Sequence, residues 1–562
     1  MSLEHFIDLS SSWRQETASH PLVLCLTLFA IIRIIGSGSR HAWSKDAADA
    51  RPILLPFTIV TLGVYLALVC WYLAQEQYAD PAEPTIAALA WLFRVGQPIY
   101  HAFDSPERYS HIYGPMAFII PSWSLGLFGP GIRASKIPGA VAALLSLAIA
   151  FALTRGVAGR RDALILTGVL AGLCLMFQNY TFWIRPDSLQ LLGAATALFA
   201  AVAMGGTLIP GLVLGVATGL LIGLKITGAF YAVPAFALLV ARQRYRSIIV
   251  AAAVTCVVAA APFMRDDQVS FSNYLHWVRI SAGNGIQLRG LRVNVEWALF
   301  LLLPLLPTLG RRSVRPEDRW LGWSAVGSML VIVCAASKPG AGPYHLIPFL
   351  PVVMYGTALV LQGTPSRERE NSTYAAGVAA FLGSIAIVAC LQTSYFVWSA
   401  SRIPGTPVVE DITRFAALHP TARIDMGYSD VKEPLTFVRP VLVFRQGAYL
   451  LDAPAIQEYQ MSGVELPRAT LRAVEECEVD IWLIAKGGEP FSIRNRYPAT
   501  GYAPIFDPQF RLAFLNTYRR TSATQYFDVW ECSGGNGTGL TRRNEVNGDE
   551  RRGGRVRASR GR

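Results

Sequence analysis

The chain has 562 residues, of which 52% are hydrophobic and only 16% charged, with eight cysteines and a formal net charge of +12; its mean hydropathy is +0.36. So little charge cannot cover the surface of a water-soluble protein of this length, which excludes a cytosolic enzyme. The fold class read from this is an α-helical polytopic membrane protein of about 11–12 spans, each near the ~20 residues needed to cross the hydrocarbon.

In chain order, residues 1–20 are an N-terminal segment of mixed charge. No small-residue cleavage site follows it, so no cleavable signal peptide is read. The transmembrane region, 21–397, holds predicted spans near 22–36, 53–74, 135–154, 163–178, 188–204, 208–224, 226–241, 247–264, 296–310, 320–337, 345–362 and 374–397. The first is short and carries Arg33; if it lies in the interface instead, the amino terminus changes side and nothing downstream does. Five loops are basic: Arg40, Lys45 and Arg51; Arg155, Arg160 and Arg161; Arg242, Arg244 and Arg246; Arg311, Arg312, Arg315 and Arg319; Arg367 and Arg369. All fall on one side, which the positive-inside rule makes cytoplasmic. The other side of a plasma (inner) membrane receives the large loop 75–134, with its short amphipathic segment Pro84–Val95 suited to lying in the interface, and everything after about residue 398.

Residues 398–535 read as an extracytoplasmic α/β domain at the C-terminal end. Pro407–Leu418 and Pro467–Glu478 predict helices; Pro440–Phe444, Val479–Ala485 and Gln525–Trp530 predict strands. From Ser533 the chain is Gly-, Asn- and Arg-rich, and 536–562 is expected to be a disordered tail. That tail carries eight arginines against three acids, so the chain's basicity does not point to a nucleic-acid partner. Cys25, Cys70, Cys174, Cys256, Cys334 and Cys390 lie in apolar spans as small core residues. Cys477 and Cys532 fall on the outer side, where a disulfide is permitted, and whether they pair is left open.

Chemistry concentrates at the ends of the spans. Asp80 and Glu83 follow the 53–74 span within Gln75-Glu76-Gln77-Tyr78-Ala79-Asp80-Pro81-Ala82-Glu83. Two readings stand: a capping box, with Asp80 as N-cap and Glu83 closing it, or a general base for an acceptor hydroxyl. A second constellation is cationic. Arg133, Arg185, Lys225, Arg279 and Lys338 sit outside or at outer span ends, where a cation needs a carboxylate, an interfacial anchor or a phosphate. Arg185-Pro186-Asp187 is either a local ion pair or a ligand contact, and Lys225 either binds or marks a hairpin turn. In Lys338-Pro339-Gly340-Ala341-Gly342-Pro343-Tyr344-His345 a Gly-rich turn flanked by a cation and an imidazole suits one phosphate. No cofactor is identified. His101, Asp104, Glu107 and His111 are the ligands a divalent cation would use, but their spacing matches no metal motif.

These features, in order, resemble a family. An acid follows an outward span, then come a short helix, Gly96-Gln97-Pro98-Ile99-Tyr100 and Tyr113-Gly114-Pro115. Leu127-Phe128-Gly129 leads into Ile132-Arg133-Ala134-Ser135-Lys136-Ile137-Pro138, with Arg185-Pro186-Asp187 beyond. The pattern is similar to the GT-C glycosyltransferase superfamily, in the branch of lipid A aminoarabinose transferases and protein O-mannosyltransferases. The resemblance implies a polyprenyl-phosphate sugar as donor, a cell-envelope lipid, glycan or protein as acceptor, and inverting transfer on the outer face. It makes Asp80 the base and Arg133, Lys338 and His345 holders of donor phosphate, with Tyr100, Tyr113, Arg185, Asp187 and Lys225 as substrate-binding candidates. Relatives often carry adjacent Asp-Glu, whereas here Pro81 and Ala82 separate Asp80 from Glu83, so the sequence leaves open which acid is the base. The alternatives from other classes are a secondary transporter, which does not account for the long loop after an early span or the outer α/β domain, and a non-enzymatic envelope scaffold.

Overall fold

The computed structural model describes residues 19–38, 51–178, 180–265, 267–310, 315–363, 372–495, 497 and 501–533. Residues 1–18 and the tail from 534, with the expectations placed on them, lie outside the described residues, as do Arg40, Lys45, Arg311, Arg312, Arg367 and Arg369.

The helices run α1 Pro21–Gly38, α2 Arg51–Ala74, α3 Ala82–Arg94, α4 Met116–Phe128, α5 Ile132–Met176, α6 Pro186–Ala203, α7 Leu208–Leu224, α8 Ala229–Ala241 and α9 Tyr245–Ala260. They continue as α10 Phe271–Ala282, α11 Leu288–Leu302, α12 Leu306–Gly310, α13 Pro316–Ala335, α14 Leu350–Gly363 and α15 Ser372–Ser401. Among the described residues six helices are long and apolar enough to cross a membrane, and α1, α4, α7 and the stretch Ile226–Ala241 are shorter apolar helices. The molecule is therefore a helical membrane protein. Helix α5 is two arms, because Gly159 at φ +82° breaks it between the segments read as 135–154 and 163–178. Close packing between α7 and α9 follows from Gly211, Gly215 and Gly219: a Cβ at Gly215 would lie 2.6 Å from Val254 Cβ, and one at Gly219 2.6 Å from Val258 Cβ. Small residues every fourth position let two helices approach where no water drives them together.

Past α15 the chain builds α16 Gly405–Leu418, β1 Ile424–Met426, α17 Pro440–Gln446, α18 Ala453–Met461, α19 Arg468–Glu475, β2 Ile481–Ala485, α20 Pro508–Thr517, β3 Tyr518–Ala523 and β4 Phe527–Cys532. The sheet order is β1-β2-β4-β3, with β1 parallel to β2 and β4 antiparallel to both neighbours. Every residue of β2, Ile-Trp-Leu-Ile-Ala, is buried, as a central strand covered on both faces requires. Phe491, Phe506, Phe510 and Phe514 pack beneath it against Trp482. Cys477 and Cys532 are joined, with their Cα atoms 6.0 Å apart.

One expectation is corrected. Pro440–Phe444 is not a strand but the start of α17. Pro440 stands in its first turn after the 3-10 turn Glu433–Val438, and Phe444 turns its ring onto Trp91 of α3 at 6.0 Å. A five-residue apolar run does not distinguish a strand from a buried helical turn, and packing decides. Helix α3 is buried along Glu83–Ala90 and again at Leu92 and Phe93. It packs between α4 and the C-terminal part, with α17 covering its second side.

Candidate active site

The segment from Gln75 to Pro81 leaves α2 and enters α3. It is held from below by Lys136 at the start of α5, whose Nζ donates to the carbonyls of Tyr72 (3.0 Å), Gln75 (3.0 Å) and Gln77 (2.6 Å). Glu83, fully buried, turns back on the same segment. Its Oε1 accepts the N–H groups of Ala79 (2.8 Å) and Asp80 (3.0 Å), and Oε2 accepts the Tyr72 hydroxyl. Asp80 completes the reciprocal cap, its Oδ1 accepting the Ala82 N–H at 2.9 Å. The capping geometry and an outward-facing carboxylate thus coexist. Burial pushes the Glu83 carboxyl up to about 7, against the pull of the Lys136 ammonium and the Tyr72 hydroxyl.

Asp80 faces the other way, into a cavity of about 630 Å³ between the helix ends and the C-terminal part. Its Oδ1 also accepts Arg185 Nη1 at 2.9 Å, and Oδ2 accepts no hydrogen bond from the described residues. Arg185 lies over the Tyr180 and Tyr344 rings at 4.6 and 5.0 Å and donates to the Tyr113 hydroxyl at 3.3 Å. Beneath the floor, Asp187 is fully buried and joins Arg185 Nε (3.3 Å) to Lys225 Nζ (2.8 Å). It stands in the first turn of α6 after Pro186, where the helix dipole favours a carboxylate.

Local sequence explains why these parts meet. Helix α7 stops at Lys225, and the Gly114 N–H donates to the Leu224 carbonyl at 2.9 Å. A Cβ on Gly114 would sit 2.2 Å from the Gly223 oxygen, so only a bare backbone brings Tyr113 beside Lys225, whose ammonium lies 5.3 Å from the Tyr113 ring. Lys338 donates to the Ser281 hydroxyl, and its turn depends on Gly340 at φ +81°.

Of the residues proposed from sequence, Asp80, Tyr113, Arg185, Lys225, Lys338 and His345 line the cavity together. Asp187 and Glu83 lie just behind it. Tyr100 is buried, donating to the Tyr113 carbonyl at 2.5 Å and packing on Phe118, so it supports the wall without reaching the cavity. Arg133 lies apart: it is solvent-exposed, with its Nε on the Ala74 carbonyl at 3.1 Å and Nη2 on Glu76 at 3.3 Å. The sequence reading missed Tyr180, Tyr344 and Ser281 as wall residues and weighed His111 only as a metal ligand. His111 is a buried wall residue whose Nδ1 has no hydrogen-bond partner. Burial, then the charges of Lys338, Arg185 and Lys225, hold its imidazole down at about 3, neutral at physiological pH. Among the described residues no three His, Cys, Asp or Glu side chains converge as a metal site; His101 instead packs on Tyr109 and Trp277.

Helix ends that carry a carboxylate and cations around one cavity, closed by a small α/β part, thus form the candidate site. The solved structures of similar fold include ArnT from Cupriavidus metallidurans, a lipid A aminoarabinose transferase. In the apo state it matches with a TM-score of 0.52 and 13% identity, covering 86% of this chain and 98% of that one. Bound to undecaprenyl phosphate it matches with a TM-score of 0.53 and 14% identity over the same shares. The Archaeoglobus fulgidus oligosaccharyltransferase in complex with Zn and sulfate matches with a TM-score of 0.46 and 13% identity, over 84% of this chain and 72% of that one. The ArnT likeness shows a shared fold. No family model and no curated protein matches the sequence.

Proposed function

We propose that this protein is a membrane glycosyltransferase that takes a hexose or pentose from a polyprenyl-phosphate donor. It passes the sugar to a cell-envelope lipid, glycan or protein on the extracytoplasmic face of the inner membrane, with inversion. The observation that carries this reading is the cavity in which the Asp80 carboxylate stands among Arg185, Lys225 and Lys338. In the proposed step Asp80 takes the proton of the acceptor hydroxyl through its unoccupied Oδ2. The acceptor oxygen attacks the anomeric carbon, and the bond to the phosphate oxygen breaks on the opposite face. Negative charge then grows on the departing phosphate, where fixed cations stabilise it without reorganising. Lys338 is the strongest candidate for that contact, because Asp187 and Asp80 already engage Lys225 and Arg185 while Lys338 is bonded to a hydroxyl. Glu83 serves the geometry: it is buried behind Asp80 and fixes the peptide that carries it. The likeness to a structure bound to undecaprenyl phosphate supports the lipid-phosphate donor.

The test is to supply purified protein with labelled undecaprenyl-phosphate hexoses and pentoses and an envelope extract, and to follow donor consumption and the anomeric configuration of the product. Failure to consume any donor overturns the reading; retained configuration overturns the single displacement. Orientation is tested separately by cysteines introduced at the exposed positions Asp104 and Thr521. Both are expected to react with an impermeant maleimide in spheroplasts, and protection of both overturns the assignment of these regions to the outer face.

A further inference from the structure

On the side of the Asp80 segment away from Lys136 lies a second buried polar cluster, built mostly by the C-terminal part. Arg439, in the turn before α17, and Asp452, which caps α18, form an ion pair of 2.8 Å with neither side chain more than 1% exposed. Tyr449 bridges them, accepting Arg439 Nε at 2.8 Å and donating to Asp452 Oδ1 at 2.6 Å. Thr85 of α3 donates to both Asp452 oxygens at 2.9 and 3.0 Å and accepts Arg439 Nη2 at 2.8 Å. That same Nη2 donates to the carbonyl of Pro81 at 2.9 Å. Pro81 follows Asp80 directly, and having no N–H it can hydrogen-bond only through that carbonyl, which also accepts the Thr85 hydroxyl at 3.4 Å.

We propose that Arg439, fixed by Asp452 and Tyr449, is a positioning residue for Asp80: by holding the Pro81 carbonyl it sets where the Asp80 carboxylate points in the cavity. The inference rests on the proposed role of Asp80 as the base. The segment is gripped from two directions. Lys136 holds the carbonyls of residues 72, 75 and 77 from the membrane side, and Arg439 holds residue 81 from the C-terminal part. A single guanidinium serves Tyr449, Asp452, Thr85 and Pro81 at once because its nitrogens form a rigid planar fork; an ammonium of the same charge is a point donor on a shorter reach. The C-terminal part therefore contributes to turnover without a group of its own on the reacting atoms.

The experiment compares Arg439→Lys, Tyr449→Phe and Asp80→Asn, singly and combined, using the undecaprenyl-phosphate sugar that the wild-type protein consumes and undecaprenyl phosphate alone as the binding probe. Arg439→Lys is expected to lower kcat roughly 10- to 100-fold, the scale on which a misplaced reacting group acts. Affinity for undecaprenyl phosphate should stay within about threefold. On the residual rate of Asp80→Asn, Arg439→Lys should cost no further factor, since residues that act as a unit are not additive. Wild-type kcat in a folded Arg439→Lys protein overturns the proposal, as does an equal loss in the two backgrounds. Should Arg439→Lys fail to fold, Tyr449→Phe, which removes one hydroxyl, must show the same selective loss of kcat, and its absence overturns the proposal. If Asp80→Asn alone turns over at the wild-type rate, the base assignment falls and the clamp with it. If Asp80→Asn is inactive while Arg439→Lys is unaffected, only the clamp falls.

Discussion

Asp80 and Glu83 leave the chain close together and belong to two regions with opposite rules. At the cavity rim, polar groups are only partly engaged: among the described residues Asp80 Oδ2 and His111 Nδ1 have no hydrogen-bond partner, and Lys338 answers a hydroxyl. In the layer behind, Glu83, Asp187 and Asp452 are fully buried, and each accepts at least two hydrogen bonds from the protein. Buried carboxylates must be satisfied by the fold itself, whereas a group meant for a substrate has to keep capacity in reserve. The same residue type thus stands ready for the proposed chemistry in one layer and supplies shape in the next.

The largest effect should come from breaking the rear layer. Asp187→Asn leaves Lys225 buried without a carboxylate, and removing one partner of a buried pair costs about 3–5 kcal/mol; thermal unfolding in detergent should show that loss, and a change near zero would mean that water reaches Lys225. At the rim, Asp80→Asn keeps the cap, since Asn is a good N-cap, and removes the base. Turnover should fall at least ~100-fold, about 2.7 kcal/mol in the barrier, with a smaller loss in melting than Asp187→Asn shows, because Arg185 keeps its pair with Asp187. Lys338→Ala should weaken undecaprenyl phosphate binding by about tenfold or more, as expected for a charge-assisted hydrogen bond, while acceptor affinity holds; equal donor affinity would reduce Lys338 to an anchor for Ser281.

Glu83→Gln should cost least in rate, under ~10-fold, well below what positioned base catalysis supplies, and act on pH dependence instead. The Glu83 carboxyl is held near 7, above its ordinary value of 4.5, so the folded state binds the proton more tightly than the unfolded one. Its contribution is fully present below the unfolded value and declines as pH rises from there to about 7. The Gln variant should flatten that decline in a series of unfolding curves. If its rate loss equals that of Asp80→Asn, the base is Glu83.

Much of this was legible in the sequence because the membrane makes it so. An apolar run interrupted by Lys225 or ended by Asp187 needs a reason, and here the reason is one ion pair. Gly114 next to Tyr113 likewise marks a close backbone approach. Legibility failed where tertiary contact decides. Strand β3, Tyr-Arg-Arg-Thr-Ser-Ala, is an edge strand exposed after its first residue and carries no apolar alternation, while β1 has three residues. Nothing local distinguishes His111 in a wall from His111 in a loop. Arg439 and Asp452 carry no local signal of their pairing; Thr85, more than three hundred residues away, closes over them.

The crowding of charge around His111 carries one more consequence. Three cations that add to burial in suppressing protonation of a neighbouring imidazole also repel one another, and the packing of the spans, with Asp80 and Asp187 paired to two of them, has to contain that repulsion. A bound phosphate relieves it. A ligand that prefers the folded state adds RT ln(1 + [L]/Kd), about 2.7 kcal/mol at a hundredfold excess over Kd. If the proposed donor binds here, its lipid carrier is a folding partner as well as a substrate, and the abundance of this protein in the membrane should follow the supply of that carrier.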